Sequence, residues 1–283
     1  MTEKQLKSKN PWKEVADMYN PNKDNCLYGE DNNYVCSCDK DAIKKYNEKA
    51  QGTKDEIITR IPAEPWWGNP FEARLIILSL NPGYVPKVNE TLAKLMQTNI
   101  NIRKKVIEFK KKTLLFETHS FFPEKEDDKN DNYPITCREA VCLLEDQYWE
   151  NKLKQLKDDV KQKNQFIEDT EFFKQIAMVE YHGYSSQKAN RTFPLRGAFL
   201  ESQRFIKDML WYIAENKKED VRFLIMRSED KWQNLLSKKD FFDKYESLII
   251  RKKKSSMISQ YITPPNFEDG KYEDLVDFLS KQK

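Results

Sequence analysis

The chain has 283 residues, 34% of them charged and 39% hydrophobic, which is enough apolar material for one large domain or two small ones. No stretch approaches the ~18 apolar residues of a membrane span. The polar, Lys-rich start from Met1 to Lys9 has no signal-peptide core, so no membrane association and a cytoplasmic location are expected. The net charge of only +3 excludes a strong global basic field, so affinity for nucleic acid has to come from local clusters such as 103–105, 110–112 and 251–254.

In chain order, residues 1–60 read as an N-terminal extension, irregular or weakly helical, that packs on the main domain. Pro21, Asn22, Asp24, Gly29, Asp31, Asn32 and Asn33 mark loops, and Asp41 to Ala50 suits a short helix. The five cysteines are Cys26, Cys36, Cys38, Cys137 and Cys142. An odd number without a secretion signal argues against a disulfide framework. Cys26, Cys36 and Cys38 lie close in sequence, but the C-x-C spacing is not the C-x2-C of zinc knuckles, and no histidine is nearby. Free thiols, with no metal and no cofactor, are therefore expected.

Residues 61–283 read as one α/β domain. Ile61 to Pro70 is a lead-in whose prolines forbid regular structure, with Trp66 and Trp67 packing on the core. Then Leu75-Ile76-Ile77-Leu78 is apolar at every residue, which suits a strand covered on both faces, as in a parallel sheet. Pro82 and Gly83 force the chain out of that strand and leave Asn81 at its carboxyl end. In open α/β sheets ligands bind at that edge.

Glu90 to Lys112 reads as helix, interrupted near Thr98 to Asn101, and Leu114 to Tyr133 as an acidic, aromatic-rich loop. Thr136 and Glu139 have capping-box spacing and open a long helix that runs towards Val160. Ile176 to His182 is a second strand. An amphipathic helix through Ile206, Met209, Leu210 and Ile213 follows it. Val221 to Met226 is a third strand, Glu229 to Leu236 a short helix, and Ser247 to Ile250 a fourth strand. Tyr272, Leu275, Val276 and Leu279 share one face of a last helix. This alternation predicts an α/β fold, a three-layer α/β/α sandwich around a four-stranded parallel sheet.

Four loops then lie beyond the strands' carboxyl ends: 81–84, 181–186, 227–229 and 252–266. Here the sequence resembles the uracil-DNA glycosylase superfamily, in particular its mismatch-specific branch. The first motif of that branch is Gly-x-Asn-Pro-Gly after the first strand, and this chain has Ser79-Leu80-Asn81-Pro82-Gly83. The resemblance extends through the order of elements from about residue 60 to 283. It implies a base-recognising motif at 180–186 and a minor-groove wedge near 255–261. Two positions depart from the pattern. Ser79 stands where the motif begins with glycine. The fourth motif usually opens with histidine, whereas the chain's two histidines are His119 and His182.

By resemblance, Asn81 positions the attacking water and His182 hydrogen-bonds a base carbonyl, as the catalytic pair. Tyr84, Tyr184 and Ser185 border the base pocket, and one of Phe116, Phe121 or Phe122 stacks on the base. Lys252, Lys253, Lys254, Ser255, Ser256 and Met257 contact nucleic acid, with Met257 or Ile258 as the wedge. DNA is the expected partner ahead of RNA, and the protein is expected to be a monomer. Each residue also has a plainer reading: Asn81 as a turn cap, His182 as a satisfied loop histidine, and Tyr84, Met257 and Ile258 as core contacts. The leading function is hydrolysis of the N-glycosidic bond of a damaged or modified base. The alternatives are a nucleic-acid-binding module that has lost catalysis and a nucleotide or phosphoester hydrolase. The third is weakest, with seven glycines and no Asp/Glu pair at a strand end.

Overall fold

The computed structural model describes residues 1–19, 32–83, 86–123, 148–188, 193–194, 199–253 and 261–281. The described N-terminal part is more helical than its composition suggests. It holds α1 (Glu3–Ser8), α2 (Lys13–Met18) and α3 (Lys40–Ala50). A capping box starts α1: the Thr2 hydroxyl accepts from the Gln5 amide, and the Gln5 side chain accepts from the Thr2 amide. Leu6, Trp12, Val15 and Ala16 are fully buried and join the same apolar core as the sheet.

The sheet is mixed and five-stranded, in the order β1 (Trp66–Trp67), β3 (Ile176–Val179), β2 (Leu75–Leu78), β4 (Arg222–Ile225), β5 (Ile249–Arg251). This corrects the expectation of a four-stranded parallel sheet. The four expected strands do pair in parallel, with Leu75 opposite Ile176 and Arg222, and Phe223 opposite Ile249. The fifth, β1, is antiparallel to β3, with Trp66 opposite Val179 and Trp67 opposite Met178. Proline lacks an amide donor but keeps its carbonyl. Pro65 uses that carbonyl to accept from the Glu180 amide (2.9 Å), so the lead-in can close an edge despite its prolines. Gly68 then turns the chain at φ +70°, against the Ile176 carbonyl.

All four residues of β2 are at most 1% exposed, so both faces of this strand are covered, as an apolar residue at every position requires. The helices that follow β2 are α4 (Pro86–Thr98), α5 (Ile100–Leu114), α6 (Tyr148–Lys163), α7 (Asp169–Lys174), α8 (Glu201–Asn216), α9 (Glu229–Leu236) and, after β5, α10 (Lys271–Ser280). The break between α4 and α5 is a cap. The Asn99 side chain accepts from the amides of Asn101 (3.1 Å) and Ile102 (3.0 Å) and starts the second helix afresh. The capping box expected at Thr136 lies outside the described residues. No helix among the described residues is long and apolar enough to cross a membrane.

Candidate functional site

Strand order locates the switch point of the sheet. From β2 the chain passes to β3 on one side, then crosses back to β4 on the other. The connections therefore diverge beyond the carboxyl ends of β2 and β4, where open α/β sheets bind ligands. The loop holding Ser79, Leu80 and Asn81 leaves β2 there. Beside it Met226, Arg227 and Ser228 leave β4 and enter α9, with Ser228 at φ +52°. The Trp232 indole donates to the Ser79 carbonyl (2.9 Å) and ties α9 to the end of β2.

Asn81 is partly buried, and its amide nitrogen donates to the Pro82 carbonyl (2.9 Å) and to Ser186 Oγ (3.0 Å). Ser186 Oγ in turn donates to the Lys188 carbonyl (2.6 Å), and Gly83 and Ser186 form a parallel bridge. The loops after β2 and β3 are thus laced together, and the His182 amide adds a bond to the Leu80 carbonyl (3.3 Å). The expected pair, Asn81 and His182, accordingly lies on two joined loops.

The His182 ring is fully buried, and neither nitrogen has a hydrogen-bond partner among the described residues. Phe193 packs edge-on against it, with centroids 5.1 Å apart. Burial, followed by the nearby Lys231 charge, pushes its pKa down to about 3, against a weak opposing pull from the Tyr184 backbone, so the imidazole is neutral at physiological pH. The Lys231 ammonium itself donates to the Phe193 carbonyl (3.0 Å) and lies over the Tyr181 ring.

Glu180 opens the stretch expected to recognise the base, 180–186, but has no role of its own in the sequence-based expectation. It follows β3 directly and is 3% exposed, and its Oε2 has no hydrogen-bond partner among the described residues. Burial pushes its pKa up to about 8; the Ser79 hydroxyl and the Arg227 charge pull it down, and the Glu64 carboxylate pushes it further up. It is therefore a neutral acid near pH 7. Glu64 is ion-paired to Lys110, which is also buried. The signal was present in the sequence: Ile176-Ala177-Met178-Val179 is wholly apolar, and the next residue is a carboxylate at the functional edge of the sheet.

The other expected site residues fall elsewhere. Tyr184 turns towards the N-terminal segment. Its hydroxyl donates to Asp39 Oδ2 (2.8 Å) and accepts from the Cys36 amide (3.3 Å), and its ring lies 5.2 Å from Trp12. Ser185 is buried, and its carbonyl accepts from the Ile58 amide (2.8 Å). Both residues dock the N-terminal segment. Phe116, Phe121 and Phe122 are core residues; Phe116 stacks on Trp66 at 4.4 Å, and Phe121 packs against Trp67.

Within the basic run, Arg251 is spent on Glu229 (2.7 Å) and Glu246 (2.6 Å). Lys252 is 5% exposed and donates to the Tyr261 carbonyl (3.1 Å). Burial, with the charges of Lys152 and Arg227, lowers its pKa to about 8. Lys253 reaches towards Asp269 at 3.7 Å. Tyr84, Lys254, Ser255, Ser256, Met257 and Ile258 lie outside the described residues. Compared with protein-family models, with curated proteins and with solved structures, the chain finds no significant match in any of the three.

Proposed function

We propose that this chain adopts a three-layer α/β/α sandwich of the uracil-DNA glycosylase kind and hydrolyses the N-glycosidic bond of a damaged or modified DNA base. One observation carries this reading. Asn81 lies just beyond β2 at the point where the strand order reverses, on a loop bonded to the one that holds two buried neutral groups, Glu180 and His182. Such cleavage needs the base extruded from the stack, its polar edge held, and the negative charge of the leaving base stabilised. A neutral carboxyl and a neutral imidazole suit the last two tasks, because each offers a hydrogen-bond donor without pairing as an ion. The Asn81 amide is a poor base but positions water, and positioning alone supplies a large part of such barriers.

The same geometry also favours a second reading, a nucleic-acid-binding protein without catalysis. The amide nitrogen of Asn81 is already spent on Pro82 and Ser186, and His182 is sealed from solvent. A base that reaches these groups has to part the loops after β2 and β3. The two readings separate in one experiment. Purified protein is incubated with oligonucleotides carrying uracil, hypoxanthine, alkylated or mismatched bases, and abasic sites are scored alongside DNA binding. Abasic sites on one of these substrates support hydrolysis. Binding without abasic sites on any of them assigns the chain to the second reading.

A further inference from the structure

Cys36 and Asp39 are fully buried and Cys38 is exposed, and one ligand atom from each lies within 4.8 Å of the other two. We propose that Cys36, Cys38 and Asp39 hold a zinc ion where the N-terminal segment meets the loop after β3 and the start of α8. Two thiolates and a carboxylate form a donor set that suits Zn2+ and disfavours Mg2+ or Ca2+. A tetrahedral ion with Zn–S near ~2.3 Å places its sulfurs about 3.8 Å apart, so small side-chain rotations close the set. Each thiol gives up its proton to solvent on binding. Because Cys38 is exposed, the fourth position faces solvent and takes a water.

The surroundings are those of a supported ligand. Asp39 Oδ2 accepts from the Tyr184 hydroxyl (2.8 Å), which fixes the carboxylate's orientation. Oδ1 accepts from the Ser202 amide (3.2 Å) in the first turn of α8 and from Cys38 Sγ (3.7 Å). The positive end of α8 thereby faces a group that would carry one net negative charge with the ion bound. Ser202 Oγ is fully buried and has no hydrogen-bond partner among the described residues. A plain capping role for Asp39 accounts for the Ser202 amide, but not for the two sulfurs gathered at the same carboxylate. The Asp39 carboxylate already joins parts of the chain far apart in sequence, since Tyr184 is 145 residues from it and Ser202 is 163, so the ion would be held at a fixed point of the fold.

The test is a Co2+ titration of the full chain, followed by displacement with Zn2+. The expected result is one equivalent of Co2+ with a sulfur-to-cobalt charge-transfer band, lost on adding Zn2+, and a thermal midpoint raised by zinc. Cys36→Ser, Cys38→Ser and Asp39→Ala should weaken or abolish the band and the thermal shift, and Cys142→Ser should leave both unchanged. Cys38 is exposed, so Cys38→Ser keeps the test decisive if the buried variants fail to fold. No band in the wild-type chain, or a band that survives Cys38→Ser, overturns the proposal and leaves Asp39 as a cap for α8.

Discussion

Glu180→Gln keeps the shape of the side chain and removes its ability to ionise. In the unfolded chain the carboxyl titrates near its ordinary value of 4.5, and in the folded protein near about 8. Below the lower value both states hold the proton and burial carries no ionisation penalty. Between the two values the unfolded chain has released its proton and the native state keeps it. Stability then falls by about 1.4 kcal/mol for each pH unit gained, and levels off above the folded value. Across that window the loss is bounded near ~5 kcal/mol, and water reaching the side chain reduces it. Urea unfolding of both proteins at about pH 5 and about pH 8 measures the effect. The wild type should lose ~2–4 kcal/mol relative to Glu180→Gln between those two conditions. Parallel pH dependences, equal to within ~0.5 kcal/mol, would refute the buried neutral acid, and with it the hydrogen-bond donor assigned to the leaving base.

Three further outcomes follow from other parts of the fold. His182 titrates far below its ordinary value of 6.5, near about 3, so its contribution is intact above the ordinary value and is lost as pH falls towards the folded one; His182→Gln should flatten that acid limb in unfolding followed by fluorescence. Gly68→Ala places a Cβ 2.5 Å from the Ile176 carbonyl at φ +70° and should cost ~2–4 kcal/mol in thermal unfolding, whereas Gly52→Ala, at φ +75° in open space, should cost only about 1. Lys252→Ala should lower stability while leaving the salt dependence of DNA binding unchanged, and Lys253→Ala should reduce the slope of log affinity against log salt by about one, read by anisotropy titration across salt.

The strands that form the parallel part of the sheet were legible because burial on two faces leaves a simple mark. Leu75 to Leu78 and Ile176 to Val179 are apolar at every position, and each ends where polar or turn-forming residues begin. The antiparallel edge was not legible. Two tryptophans between Pro65 and Gly68 carry no periodicity, and their pairing with β3 depends on a carbonyl that proline retains. The break at Asn99 showed as an interruption because asparagine caps a helix start through its own side chain. Within the candidate site, the position of Asn81 beyond the carboxyl end of β2 was legible from the turn that follows it. Glu180 lay inside the expected 180–186 stretch without a role of its own, because a single carboxylate after a strand carries no spacing motif; its raised pKa comes from burial and, less, from Glu64, against the pull of Ser79 and Arg227. The bonds of the Tyr184 hydroxyl were not legible for a related reason. Nothing local indicates that its hydroxyl meets Asp39 across 145 residues.

Single-turnover release of free base, read by mass spectrometry on a duplex carrying each candidate lesion, tests the central claim most directly when wild type and Asn81→Ala are compared. The account predicts that the wild-type chain releases one free base and leaves an abasic site on the same strand. It predicts that Asn81→Ala lowers that rate by ~100-fold or more while changing DNA affinity by less than about threefold. Equal rates in the two proteins, or DNA bound by the wild type with no base released from any lesion, would contradict it.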